Sequence, residues 1–166
     1  MPKHPFPPIY APDSRVLILG TFPSVRSRET GFYYGHKQNR FWHVMACLFE
    51  ERVPVTDEEK KALLLRHGIA LWDVLRECDI TGSSDASIRR AVPNDIRALI
   101  EQTRIQSVYT NGKKAHEMYL RYAFGSLGIQ DICLPSTSPA NARTDLNGLI
   151  SAWQVIKSEL SLEEKD

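Results

Sequence analysis

Apolar and polar positions fall in blocks along this chain, and the blocks change period. Val16-Leu17-Ile18-Leu19 is apolar without alternation, the pattern of a strand covered on both faces. Phe41, Val44, Met45, Leu48 and Phe49 then recur at helical spacing, predicting a helix from Asn39. Thr56 opens a second helix, with Glu59 as its capping-box partner and Gly68 where a C-terminal cap belongs. Ile69–Leu75 reads as the second strand, and residues 76–92 as a polar, irregular segment. Pro93-Asn94 start a helix with Ile96, Leu99 and Ile100 on one side. Ile105–Thr110 is a third strand, closed by Asn111-Gly112. A helix from Lys113 carries Ala115, Met118, Tyr119 and Tyr122 and ends near Gly125. Ile129–Leu134 is a fourth strand and Pro135–Thr144 a polar loop. The last helix puts Leu146, Leu149, Ile150, Trp153 and Ile156 on one face and leads into a charged tail, residues 161–166.

Strands alternating with amphipathic helices predict an α/β fold: a three-layer α/β/α sandwich around a four-stranded, mainly parallel sheet. Residues 1–12 hold five of the ten prolines and read as an extended lead-in. The 166 residues fit a single domain spanning the chain. In such a sheet the loops after the strands, 20–38, 76–92, 111–113 and 135–145, gather on one rim. Open α/β sheets bind their ligands there.

Composition narrows the chemistry. Net charge is +1, so any nucleic-acid footprint must come from local clustering. Three cysteines, far apart and without CxxC pairs, argue against a disulfide framework, a zinc ribbon or an iron–sulfur cluster. No signal peptide or membrane span is expected, and the cysteine usage suits a reducing cytoplasm. The histidines do not sit at metal-ligand spacing, and the Walker, GxGxxG and G-x-S-x-G patterns are absent. Neither a metal nor a cofactor is expected.

The rim remains, rich in aromatic and amide side chains. Phe22, Phe32, Tyr33 and Tyr34 can stack on a nucleobase or plug the edge of the core. Ser24, Arg26 and Arg28 can meet phosphates or belong to a solvated loop. Ser136, Thr137 and Ser138, with Asn141 and Arg143, suit a phosphate backbone or form a plain turn.

These residues carry a resemblance. Gly31–Trp42, GFYYGHKQNRFW, is similar to the G-F-x-x-x-H-P-x-N-R-F-W signature of mismatch-specific uracil/thymine-DNA glycosylases. LILGTFPSVRSRETGFYYGHKQNRFW, together with GIALWDVL and LPSTSPANA, resembles the hypoxanthine-DNA glycosylases, family 6 of the uracil-DNA glycosylase superfamily. The likeness runs over roughly residues 12–155. It implies flipping of hypoxanthine (deaminated adenine) out of double-stranded DNA and hydrolysis of its N-glycosidic bond. Phe22 stands where other branches carry a water-activating Asp or Asn. Leu134-Pro135-Ser136 replaces a His-Pro-Ser or Asn-Pro-Ser motif. The resemblance therefore assigns catalysis to Asn39, whose carbonyl would orient the water, and stacking on the extruded base to Tyr34. Lys37 stands where Pro is common and adds positive charge beside the DNA.

Hypoxanthine presents N1–H as a donor and O6 and N7 as acceptors. Asp73 could accept from N1–H or serve as a cap or ion-pair partner. Asn111 could donate to O6 or be part of an Asn-Gly turn. No lysine matches the position used by lyase-type glycosylases, which implies a monofunctional enzyme leaving an abasic site, acting as a monomer. Three alternatives stay open: a uracil or xanthine preference, a non-catalytic DNA-binding module, and a nucleoside hydrolase.

Overall fold

The computed structural model describes residues 6–22, 31–79 and 89–164. The central sheet has four strands in the order β2-β1-β5-β6. They are β1 (Val16–Gly20), β2 (Ile69–Asp73), β5 (Ser107–Asn111) and β6 (Ile132–Leu134). Every neighbouring pair in this sheet is parallel. All five residues of β1 are buried, as its unbroken apolar run requires of a strand covered on both faces.

Alternation on β1 separates two cores. Val16 and Ile18 join Ile69, Leu71 and Tyr109 under α1 (Phe41–Leu48), α2 (Asp57–Arg66) and α5 (Leu146–Glu164). Leu17 and Leu19 join Ala70 and Val108 under α3 (Ile96–Glu101) and α4 (Lys113–Tyr119). Helices thus cover both faces, giving the three layers that the chain's alternation predicts. The lead-in closes the free edge of β2: Ile9 and Leu71 exchange backbone hydrogen bonds of 2.9 Å in an antiparallel bridge.

Register places the site. Gly20 lies opposite Asp73, and Asn111 opposite Leu134, so the carboxyl ends of the strands stand together on one rim.

Several boundaries differ from the sequence reading. Residues 76–92 are not wholly irregular: β3 (Leu75–Asp79) and β4 (Arg89–Pro93) pair antiparallel, with irregular register. This ribbon stands outside the main sheet, where backbone pairing needs no apolar alternation. Its base is fixed by Asn94, whose Nδ2 donates to the carbonyls of Asp73 (2.9 Å) and Leu75 (3.2 Å). α1 begins at Phe41 rather than Asn39. The last strand shortens to Ile132–Leu134, and α4 runs on through a π-helical turn, Leu120–Phe124, to Leu127. Residues 161–164 of the expected tail continue α5, and Leu146, expected inward, is exposed at its first turn. The Thr56 cap forms as expected, its hydroxyl accepting from Glu59 N–H at 3.1 Å.

Two polar clusters brace the layers. Buried Asp131 accepts from Thr110 Oγ1 at 2.5 Å and from Gln130 at 2.9 Å, and pairs with His116 Nδ1 at 2.7 Å, joining β5, β6 and α4. At the end of α2, Glu51 is bridged by Arg66 and His67. Hydrogen bonding from Arg66, then from His67, holds its carboxyl below the ordinary glutamate value of 4.5. A depressed carboxyl contributes stability above its ordinary pKa and loses it as pH falls through the folded value. The stability difference between the parent and Glu51→Gln is therefore expected to be widest near neutrality and to shrink in acid. Urea unfolding along a pH series measures it; a gap that grows on acidification contradicts the assignment.

Candidate active site

The site forms where residues 31–40 lie over the strand ends. Phe32 and Tyr33 are buried in the first core. Phe32 stacks with Trp42 at 6.2 Å, the Tyr33 hydroxyl donates to Pro7 O at 2.9 Å, and Trp42 Nε1 donates to Tyr33 O at 3.1 Å. Of the two tyrosines, Tyr33 therefore takes the structural role and Tyr34 faces the rim.

Tyr34 has φ +54°, a left-handed conformation rare for an aromatic residue and often found at functional positions. Its ring stacks on Phe41, centroids 4.3 Å apart and 27° from parallel. One ring face is thus taken by protein. Its hydroxyl is enclosed and has no hydrogen-bond partner among the described residues. Burial first, and the Asp73 charge second, push its pKa far above the ordinary tyrosine value. The neighbouring Asn111 amide pulls the other way without reaching hydrogen-bond geometry. The phenol stays protonated and can donate.

Asp73 is buried at the end of β2. Gly20, opposite it, has no room for a side chain: a Cβ there would meet Asp73 Oδ1 at 2.3 Å and the Tyr34 hydroxyl at 3.0 Å. Tyr34, Asp73 and Asn111 thus converge at the ends of β1, β2 and β5. At 4% exposure, Asp73 is too buried for a surface ion pair.

Asn39 lies just before α1, half-buried. Its Oδ1 accepts from Phe41 N–H at 3.0 Å and from Thr137 Oγ1 at 2.8 Å. A backbone N–H can only donate, so the amide orientation is fixed. The carbonyl expected to hold a water is already occupied by two donors. Nδ2 makes no hydrogen bond among the described residues.

Thr137, which the sequence reading placed only among loop hydroxyls, is the hub. It is fully buried. Its N–H donates to Asn111 Oδ1 at 3.0 Å, and its Oγ1 accepts from Asn111 Nδ2 at 3.0 Å. Asn111 is therefore engaged by both ends, and only its second Nδ2 hydrogen is left for a ligand; this narrows the O6 donor role expected for it. Gly112, at φ +98°, lets this loop close, since a Cβ there would lie 3.0 Å from Ser136 Cβ.

Ser136 and Ser138 are half-buried; their hydroxyls accept from the N–H groups of Ser138 and Ala140, each at 3.1 Å. Asn141 Nδ2 donates to Ser136 O at 2.9 Å, so this amide braces the loop with one of its two hydrogens. Lys37 and Arg143 are exposed, with no ion-pair partner among the described residues. Phe22 rests against the α3–α4 core. Ser24 and Arg26 lie outside the described residues.

Arg40 had no role in the sequence reading, although it sits inside the N-R-F-W run. Its guanidinium donates to Thr144 O at 2.5 Å and to Ser138 O and Asn141 O at 3.0 Å each. A planar fork can serve three carbonyls in this way and an ammonium cannot. Arg40→Ala is expected to cost about 2–3 kcal/mol, the scale of hydrogen bonds to a charged group. Arg40→Lys is expected to recover less than half of that. Denaturant unfolding measures both; full recovery by lysine removes the fork argument.

A four-stranded parallel sheet covered by helices on both faces finds its counterpart among known proteins. The uracil DNA glycosylase superfamily model matches residues 7–157, and the chain belongs to that superfamily. It is similar to a hypoxanthine DNA glycosylase of Methanosarcina acetivorans, 34% identical over 94% of this chain and 98% of the relative. It is also similar to one of Methanosarcina barkeri, 31% identical over 92% and 96%. Among solved structures, a solution NMR structure of a candidate uracil DNA glycosylase from Methanosarcina acetivorans superposes with a TM-score of 0.82 at 32% identity. That match covers 96% of this chain and 98% of the other.

Proposed function

We propose that this protein is a DNA-deoxyinosine glycosylase. It flips hypoxanthine out of double-stranded DNA and hydrolyses its N-glycosidic bond, leaving an abasic site. The observation that carries the reading is the joining of this superfamily fold to a cluster of mixed donors and acceptors at the strand ends: protonated Tyr34, Asp73 and the Asn111 amide. Hypoxanthine needs an acceptor for N1–H and donors for O6 and N7, and these groups supply both kinds. The two Methanosarcina relatives carry the same activity in their names.

Flipping a base costs a few kcal/mol, and least where the pair is already weak, which favours deaminated bases. Exposed Lys37 and Arg143, with the Ser136–Ser138 turn, form the phosphate-contacting edge of the site. Ser24 and Arg26 belong to that edge on the sequence pattern. Asn39 is the catalytic side chain, since it alone of the rim amides keeps a whole Nδ2 group uncommitted among the described residues. The protein acts as a monomer beside DNA in a prokaryotic cytoplasm. Among the described residues no helix is long and apolar enough to cross a membrane.

The test is base release from duplexes carrying one deoxyinosine, deoxyuridine or deoxyxanthosine, with free inosine alongside. Hypoxanthine release is expected to dominate. Asn39→Ala is expected to lower its single-turnover rate about 100-fold or more, the size of one lost transition-state hydrogen bond. Release of uracil without hypoxanthine, or cleavage of free inosine alone, replaces the substrate assignment. DNA binding with no release of any base makes the protein a binding module.

A further inference from the structure

We propose that Asn39 acts as a hydrogen-bond donor to the departing base, and that Thr137 is the positioning residue that locks it in that polarity. The inference rests on the glycosylase reading and deepens it.

Two backbone N–H groups fix the direction of the whole relay. Thr137 N–H donates at 3.0 Å to one atom of the Asn111 amide, which must therefore be Oδ1. Asn111 Nδ2 then donates to Thr137 Oγ1 at 3.0 Å. That hydroxyl turns its own hydrogen to Asn39, 2.8 Å away. Phe41 N–H donates to the same Asn39 oxygen at 3.0 Å. An amide oxygen has two lone pairs, and both are used. The amide cannot turn over without leaving Phe41 N–H and the buried Thr137 hydroxyl facing an NH2 group. Asn39 therefore offers the rim only N–H.

Hydrolysis needs such a donor. The C1′–N9 bond breaks with its electron pair leaving on hypoxanthine, and the sugar becomes an oxocarbenium ion. Water adds its oxygen to C1′, and its proton ends on the departing purine. Charge on the base grows as the bond lengthens. A preset N–H directed at an acceptor of the purine stabilises that charge without reorganisation. A cationic sugar needs little help in capturing water. Asn39 donates a hydrogen bond throughout and transfers no proton.

Asn39→Asp separates this role from water activation. Aspartate keeps an oxygen for Phe41 N–H and Thr137, so the local structure has its acceptor. Its second oxygen, when ionised, can only accept. The donor role predicts a saturating single-turnover rate on deoxyinosine duplex at least about 100-fold below the parent at pH 7.5, the scale of one lost oxyanion-type donor. It also predicts recovery as pH falls, because a protonated carboxyl can donate. Dividing by the parent's rate at each pH removes what Tyr34, Asp73 and His36 contribute to both proteins. A rate at or above the parent's, or one rising with pH, overturns the donor role. A folded variant with no detectable rate at any pH also counts against it, since the recovery in acid is then missing.

Thr137→Val should lower the maximal rate about 10-fold or more while leaving affinity for an uncleavable duplex within about threefold, and Thr137→Ser should restore the rate. Loss of affinity with an unchanged maximal rate, or failure of serine to rescue a folded protein, removes Thr137 from the relay. If the parent releases no hypoxanthine, the glycosylase reading itself has failed, which is a different outcome from an active parent with an active Asn39→Asp.

Discussion

Gly20→Ala is expected to fold and yet to release base about 100-fold more slowly than the parent. Glycine at this position is a matter of space, since a Cβ would stand 2.3 Å from Asp73 Oδ1 and 3.0 Å from the Tyr34 hydroxyl. No non-bonded carbon–oxygen pair tolerates the first distance, so either the Asp73 carboxylate turns away or the strand ends separate. The alternating side chains of β1 stay in both cores, so the main cost falls on the site rather than on the fold. A displacement of about 1 Å at reacting groups lowers rates by about 100-fold. The check pairs single-turnover base release with thermal unfolding of the same protein. A variant of parental rate shows that the position of Asp73 does not matter to catalysis. A variant that no longer folds shows that the close approach is structural, and Asp73→Asn, which keeps the shape and removes the charge, then isolates the chemistry.

The second large effect is on stability. Trp153→Ala is expected to cost about 3–5 kcal/mol, the range for removing a large aromatic side chain from a core. At this chain length that lowers the melting temperature by on the order of 10 °C. Trp153 is fully buried on α5, meets Phe41 edge-on at 5.9 Å, and donates from Nε1 to Pro135 O at 3.0 Å. It thus joins α5 to the first residue of α1 and to the start of the loop that carries Thr137. Trp153→Phe keeps most of the apolar volume and loses only the donor. It should cost less stability than alanine while still slowing base release through the loop. Calorimetry of both variants decides the matter; a cost near 1 kcal/mol for Trp153→Ala means that the core closes around the hole.

The Methanosarcina likeness places the chain in its superfamily, and the geometry then redistributes the roles inside the site. Tyr34 keeps its place at the rim. Asn39 keeps its position while its available atom changes from oxygen to nitrogen. Asn141 also braces its own loop, and Arg40 and Thr137 enter as the residues that hold the second loop in place.

The sequence by itself determined the strands of the central sheet and the buried faces of most helices. An unbroken apolar run makes β1 a strand buried on both sides, and a period of 3.6 turns Leu149, Trp153 and Ile156 toward one core. Parallel strands joined by helices then force the loops of the site onto one rim. Tertiary structure alone decided which way the loop side chains point. Loops have no period, so nothing local separates Tyr33 from Tyr34 or Thr137 from its serine neighbours. The chemistry of Asn39 is set by a hydroxyl 98 residues away and by the one direction in which a backbone N–H can donate. Such a contact exists only once the chain has closed.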